Sequence, residues 1–289
     1  MQTLRQDLLF NARLLAKKSA FTLIIILTLV SSLNALVIAG HRQSENAPWP
    51  ATAEEEKRGR ELLTKVMTSL GGSQKIDALT SYTDVHKATA KLPQGDREVG
   101  GRWVIEFAHN REGGKLPDRV REEVTADGSR GKLLTFRVYA PGNSFAINEG
   151  QFSVLTEERR LEWMTSLQQH PLMLLRARTQ PGFRVAAAGK SQVDGRAVHL
   201  LLVESYRQRL TLGIDAERWH ILTVSFRDKD WYTGVLGQFV IRYSDYRPVA
   251  GLVLPFRHDY SCDGRLLLTG SLESITLNQK IDPKLYEKP

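Results

Sequence analysis

The sequence predicts a mainly β chain with helices, an α+β fold built on one large curved antiparallel sheet. Three observations carry this expectation. Apolar spacing changes from about 3.6 to 2 residues after the first helical segment. The period-2 runs follow one another at hairpin spacing, separated by turn dipeptides. Helical spacing then returns once, in mid-chain, and a strongly twisted antiparallel sheet tends to curl so that helices cover its concave face.

The elements are justified in chain order. Residues 1–19 form a basic amphipathic leader, with Leu4, Leu8, Leu9, Leu14 and Leu15 among charged residues. Residues 20–40, AFTLIIILTLVSSLNALVIAG, carry no charge. As a helix rising 1.5 Å per residue they span a ~30 Å hydrocarbon core. Lys17 and Lys18 abut the segment, so the positive-inside rule leaves the leader in the cytoplasm and places the rest in the periplasm. The reading is a single-pass inner-membrane anchor. A cleaved signal peptide, with Val37 and Ala39 as the small residues of its cleavage site, is the alternative and would leave a secreted periplasmic domain. Asp7, Leu8, Ala12, Arg13, Leu15, Lys17, Lys18, Phe21 and Thr22 also give the first 30 residues a likeness to the start of macrolide-exporter-type ABC transporter permeases. Nothing downstream supplies the further helices of a permease, so the resemblance implies an anchor and not transport.

Residues 41–53 read as a linker, with Pro48 and Pro50. Residues 54–289 form the folded domain. It opens on a helix: Thr52 and Glu55 have capping-box spacing, Leu62, Leu63, Val66, Met67 and Leu70 make one stripe, and Gly71-Gly72 ends it. A short second helix is expected over Ser73 to Leu79. Alternation follows at Trp103, Ile105 and Phe107, and at Leu134, Phe136 and Val138. Later strand runs lie near 183–191, 196–205, 208–215, 219–227, 237–247, 250–261 and 264–278. Asp127-Gly128, Asp194-Gly195, Asp215-Ala216 and Asp263-Gly264 are the turn signals. Such short connections imply antiparallel hairpins. The helical interruption covers Thr156 to Gln169, then Pro171 to Leu175 with proline at a helix start.

The closing run Asp245, Tyr246, Arg247, Val249, Gly251, Leu252, Leu254, Pro255 and Phe256 is followed by Asp263-Gly264, by Glu273 to Asn278, and by Ile281-Asp282. With the Gly-Gly helix end and the mid-chain helices, this series resembles the lipoprotein-carrier (LolA/LolB-like, outer-membrane lipoprotein-sorting-like) superfamily over residues 54–289. The resemblance implies an incomplete barrel around an apolar cavity that can take acyl chains. The membrane anchor departs from a soluble carrier and argues against shuttling across the periplasm.

No catalytic signature is present: the sequence has no G-x-S-x-G, P-loop, G-x-G-x-x-G or H-E-x-x-H. Cys262 is the single cysteine, which excludes an internal disulfide and multi-thiolate zinc sites. Neither a metal nor a cofactor is expected. Half of the net charge of +8 lies in residues 1–42 and the rest is dispersed, so a nucleic-acid partner is not expected. The positive signal is apolar. Trp103, Phe107, Phe136, Leu201, Leu212, Phe226, Phe239 and Ile241 are the candidate lining of a cavity, and Trp231 and Tyr232 are candidates for a partner surface. The expectation is a tethered, non-enzymatic binding protein for a lipid, acyl chain or lipoprotein. An envelope sensor or interaction module that binds a protein partner in an inner-membrane complex is the alternative.

Overall fold

The structure, a computed structural model, describes residues 49–107, 117–205 and 208–288. The segment predicted to cross the membrane, 20–40, lies outside them. No described helix is long and apolar enough to cross a membrane.

Helix α1 spans Ala53–Ser69 and opens on the expected capping box: Thr52 Oγ1 accepts from Glu55 N and the Glu55 carboxylate accepts from Thr52 N at 2.8 Å. Its stripe buries Leu63 and Val66, with Leu70 at the C-cap. Gly59 packs against the backbone of Ala186: a Cβ there would stand 2.6 Å from the Ala186 Cα, so only glycine lets the helix lie this close. After the Gly-Gly break comes α2, Ser73–Asp77. The turn between α1 and the sheet is tied down by Val253 N donating to Leu70 O at 3.1 Å and Ser69 Oγ donating to Trp219 O at 3.1 Å.

Thirteen strands follow: β1 Ser81–Leu92, β2 Gly95–Phe107, β3 Pro117–Ala126, β4 Leu133–Tyr139, β5 Phe145–Asn148, β6 Gln151–Val154, β7 Arg184–Val193, β8 Arg196–Ser205, β9 Gln208–Asp215, β10 Ile221–Lys229, β11 Leu236–Val249, β12 Leu252–Cys262 and β13 Arg265–Leu277. They form one open antiparallel sheet in the order β6-β5-β4-β3-β2-β1-β13-β12-β11-β10-β9-β8-β7. The chain therefore runs outward from the centre to β6, crosses to the far edge at β7, and meanders back until β13 pairs with β1. Asp127-Gly128, Asp194-Gly195 and Asp263-Gly264 all have positive φ at both residues, the backbone a type I′ hairpin turn requires. At Asp215 the turn is held differently: its carboxylate accepts from Glu217 N and Arg218 N.

The crossing from β6 to β7 carries α3, Glu157–Leu167, and α4, Pro171–Ala177, whose seven residues are all buried. Arg176 of α4 donates to Ile76 O at the end of α2 and lies over the Phe107 ring at 3.9 Å, while Arg178 grips the Asp77 carboxylate at 2.6 and 2.8 Å. On the opposite face of the sheet, Val104, Val138, Ala140 and Phe145 pack beneath Tyr286 of the 3-10 turn Pro283–Tyr286.

Candidate functional site

Strand register sets which side chains share a face. Tyr82, Asp84 and His86 of β1 oppose Ile105, Trp103 and Gly101 of β2; Trp103 opposes Glu122 of β3, and Glu122 opposes Arg137 of β4. On the other side of β1, Ala88 opposes Gly270, Gly270 opposes His258, and His258 opposes Tyr243. Because alternate residues of a strand share a face, these side chains all look the same way.

The mid-chain helices lie on this face. Trp163 of α3 stacks on Tyr139 with centroids 4.5 Å apart and meets Trp103 edge-on at 6.0 Å. His170, between α3 and α4, meets Tyr82 edge-on at 5.8 Å and Tyr243 at 6.2 Å. The Tyr243 hydroxyl donates to Gln169 O at 3.0 Å. The cover is incomplete. Trp103, Trp163, His258, Tyr260, Leu268 and Leu272 remain half-buried, while Tyr82, Asp84, Ile105 and Tyr243 beside them are buried. Burial nevertheless lowers His258 to about 4, with His86 and His170 adding to the effect, and raises Tyr260 to about 12. The part of this face that stays accessible is aromatic and aliphatic, with a polar band at one side.

That band is internally paired. Asp84, 2% exposed, holds His86 Nδ1 at 2.7 Å. Burial opposes the charge on His86, but the Asp84 hydrogen bond and charge, with Glu122 and Glu273, prevail and raise its pKa. Glu122 accepts from Arg137 at 2.8 Å; burial works against that guanidinium and Glu122 outweighs it. Burial, then Asp84, pushes the Tyr82 hydroxyl far above its ordinary range. Burial takes His170 down to about 4, and its Nδ1, like both amide atoms of Gln168, is buried with no hydrogen-bond partner among the described residues. No group of three or more His, Cys, Asp or Glu among the described residues has a geometry that would hold a metal.

The structure places most of the candidate lining on one face of the sheet. Trp103 and Phe107 lie on the helix-covered face. Leu201 opposes Leu212, which opposes Val224, and two residues on Phe226 stacks on Phe239 at 5.4 Å, so these side chains and Ile241 continue the same face toward β8. Phe136 does not join them. It opposes Glu123, which opposes Arg102, and it packs against Phe145 and the Tyr286 cluster on the reverse face. Trp231 and Tyr232 sit half-buried in the turn 230–235, where the Asp230 carboxylate accepts from Tyr232 N and Thr233 N. Sequence reasoning passed over Asp84, His86, His170 and His258. The i, i+2, i+4 spacing of Tyr82, Asp84 and His86 is the signal that three polar groups share one strand face.

Among the solved structures that match this chain, two have a TM-score of 0.51 each. One is described as an outer membrane lipoprotein-sorting protein domain from Vibrio parahaemolyticus, 10% identical, and the other as a LolA superfamily protein from Nitrosomonas europaea, 11% identical. Each match covers 80% of this chain and 97% of the other. The fold is LolA-like. At such identities the likeness is one of fold alone, and the LolA-like fold here is the sheet with its mid-chain helices. No family model and no curated protein matches the sequence. The permease likeness falls on residues 1–30, outside the described residues, and no comparison supports it.

Proposed function

We propose that this chain is a membrane-tethered periplasmic binding protein for a hydrophobic ligand, a lipid, acyl chain or lipoprotein, and that it performs no catalysis. One observation carries the reading: on the helix-covered face of a LolA-like sheet, Trp103, Trp163, Tyr260, Leu268 and Leu272 are left only half-buried by the helices. Apolar and aromatic surface left accessible on one face gains by taking up an apolar partner. α3–α4 act as the cover of this sheet face. Phe107, Leu201, Leu212, Phe226, Phe239 and Ile241 are buried beneath and beside that cover, and form the continuation of the site when it lifts. The tether rests on the uncharged segment 20–40. Native mass spectrometry of the full chain, extracted from membranes in mild detergent, tests both parts at once. The expected spectrum shows the uncleaved mass with copurified lipid. A ligand-free chain in every preparation overturns the binding role, and a mass that begins near Gly40 overturns the tether.

A second reading, a sensor or interaction module for a protein partner, draws on the turn 230–235. Val235 and Leu236 beside Trp231 and Tyr232 are 66% and 46% exposed. Exposed aliphatic groups next to two aromatics are the usual makings of an interface anchor.

A further inference from the structure

We propose that acid releases α3 and α4 from the sheet, because His170 and His258 must then become charged together beside a carboxylate that is already engaged. The proposal concerns the docking of the two helices and holds whatever this face binds.

Three imidazoles converge on this face from three elements: His86 from β1, His258 from β12 and His170 from the joint between α3 and α4. The Asp84 charge acts on all three. Its Oδ1 is taken by His86 Nδ1 at 2.7 Å, and the Tyr82 hydroxyl is hydrogen-bonded to it as well. Glu122 and Glu273 also act on His86, and Glu122 is occupied by Arg137. His170 is enclosed by Tyr82 and Tyr243, neither of which carries charge at neutral pH, and its buried Nδ1 has no acceptor among the described residues. His258 meets the edge of Tyr260, and its ring lies over Gly270 with no room for a Cβ between them. Protonating both would leave two imidazolium groups and His86, already held in its charged form by Asp84, in one desolvated patch. A buried charge without its own partner is among the least tolerated features of a folded interior.

The sign follows from linkage. His170 and His258 both stand at about 4 in the docked state, below the ordinary 6.5. The undocked state therefore binds more protons, and docking is fully favoured above about pH 6.5 and weakens as pH falls toward 4. At pH 5 a histidine that regains its ordinary pKa on undocking shifts the balance about 30-fold toward release. His86 is raised instead, but it stays with Asp84 on β1 in both states and adds little to the balance.

Hydrogen exchange of the full chain in detergent, read by mass spectrometry and corrected for the pH dependence of intrinsic exchange, tests this directly. Between pH 7.5 and 5, peptides within 157–177 should lose at least about 30-fold in protection, while β8 to β10 keep theirs. His170→Phe keeps an aromatic ring between Tyr82 and Tyr243, and His258→Gln keeps a polar side chain over Gly270. Each should remove part of the pH response, and the double variant should abolish it. Unchanged protection of 157–177 at pH 5 overturns the proposal. So does a response that persists in the double variant, or a loss shared equally by β8 to β10, which would report global unfolding.

Discussion

Replacing Gly270 with alanine should cost stability only while His258 is present. An ideal Cβ at residue 270 would stand 2.1 Å from His258 Nε2, 2.6 Å from its Cε1 and 2.8 Å from its Cδ2, so the methyl would enter the edge of the ring. Ordinary contact needs about 3.5 Å, so the imidazole must retreat by about 1.4 Å. It cannot do so freely, since it packs edge-on to Tyr260 at 5.6 Å and is heavily desolvated. Overpacking of this kind costs about 1–3 kcal/mol. Relief of glycine's excess entropy returns about 0.5–1 kcal/mol, because Gly270 sits in the interior of β13. The net expectation for Gly270→Ala is a loss of up to about 2.5 kcal/mol. In a His258→Ala background the obstacle is gone, and the same substitution should stabilise by about 0.5–1 kcal/mol. Urea unfolding of the four chains of the double-mutant cycle measures the coupling, expected at about 1–3 kcal/mol. Additive effects would refute the reasoning, since they would mean that the ring does not occupy the space over Gly270.

The Glu122–Arg137 pair, whose side chains are 13% and 7% exposed, should behave as a unit: Glu122→Gln alone should cost about 3–5 kcal/mol in chemical unfolding, and Glu122→Gln with Arg137→Met should recover much of it. Trp231→Ala with Tyr232→Ala should leave thermal unfolding of the domain unchanged but abolish capture of an inner-membrane partner in a pull-down; retained capture would count against the turn as a docking surface.

Much of the fold was legible because its signals are local. The capping box of α1 needs only Thr52 and Glu55, and the three Asp-Gly turns need only a residue that accepts positive φ followed by glycine. Pro171 marked the start of α4 in the same way. The four-residue strands β5 and β6 were not legible, since neither is long enough to show a period. In β1 the helix-covered face carries Asp84 and His86 where alternation would call for apolar groups, so its pattern does not announce a core strand. Phe136 shows a second limit. Alternation tells which residues of one strand share a face, but only register tells how one strand's faces map onto the next, and Phe136 opposes Glu123 rather than Glu122. The histidine cluster was hidden for a related reason: His86, His170 and His258 lie far apart in sequence and meet only through the pairing of β1, β13 and β12 and the crossing of α3–α4.

The adjacency of β1 and β13 at the centre of the sheet has a consequence for how the chain is made. Each half is a run of sequential hairpins that can assemble from neighbouring segments, but the seam joins the first strand synthesised to the last. Until β13 emerges, the half built from β1 to β6 presents the 12 residues of Ser81–Leu92 as an open edge, with unpaired backbone amides and carbonyls along its length. Such an edge is a template for any extended segment nearby, including the same edge on a second nascent chain. The central seam thus sets an interval, lasting from the completion of β6 to the release of residue 277, in which this protein depends on its surroundings to keep one strand from finding the wrong partner.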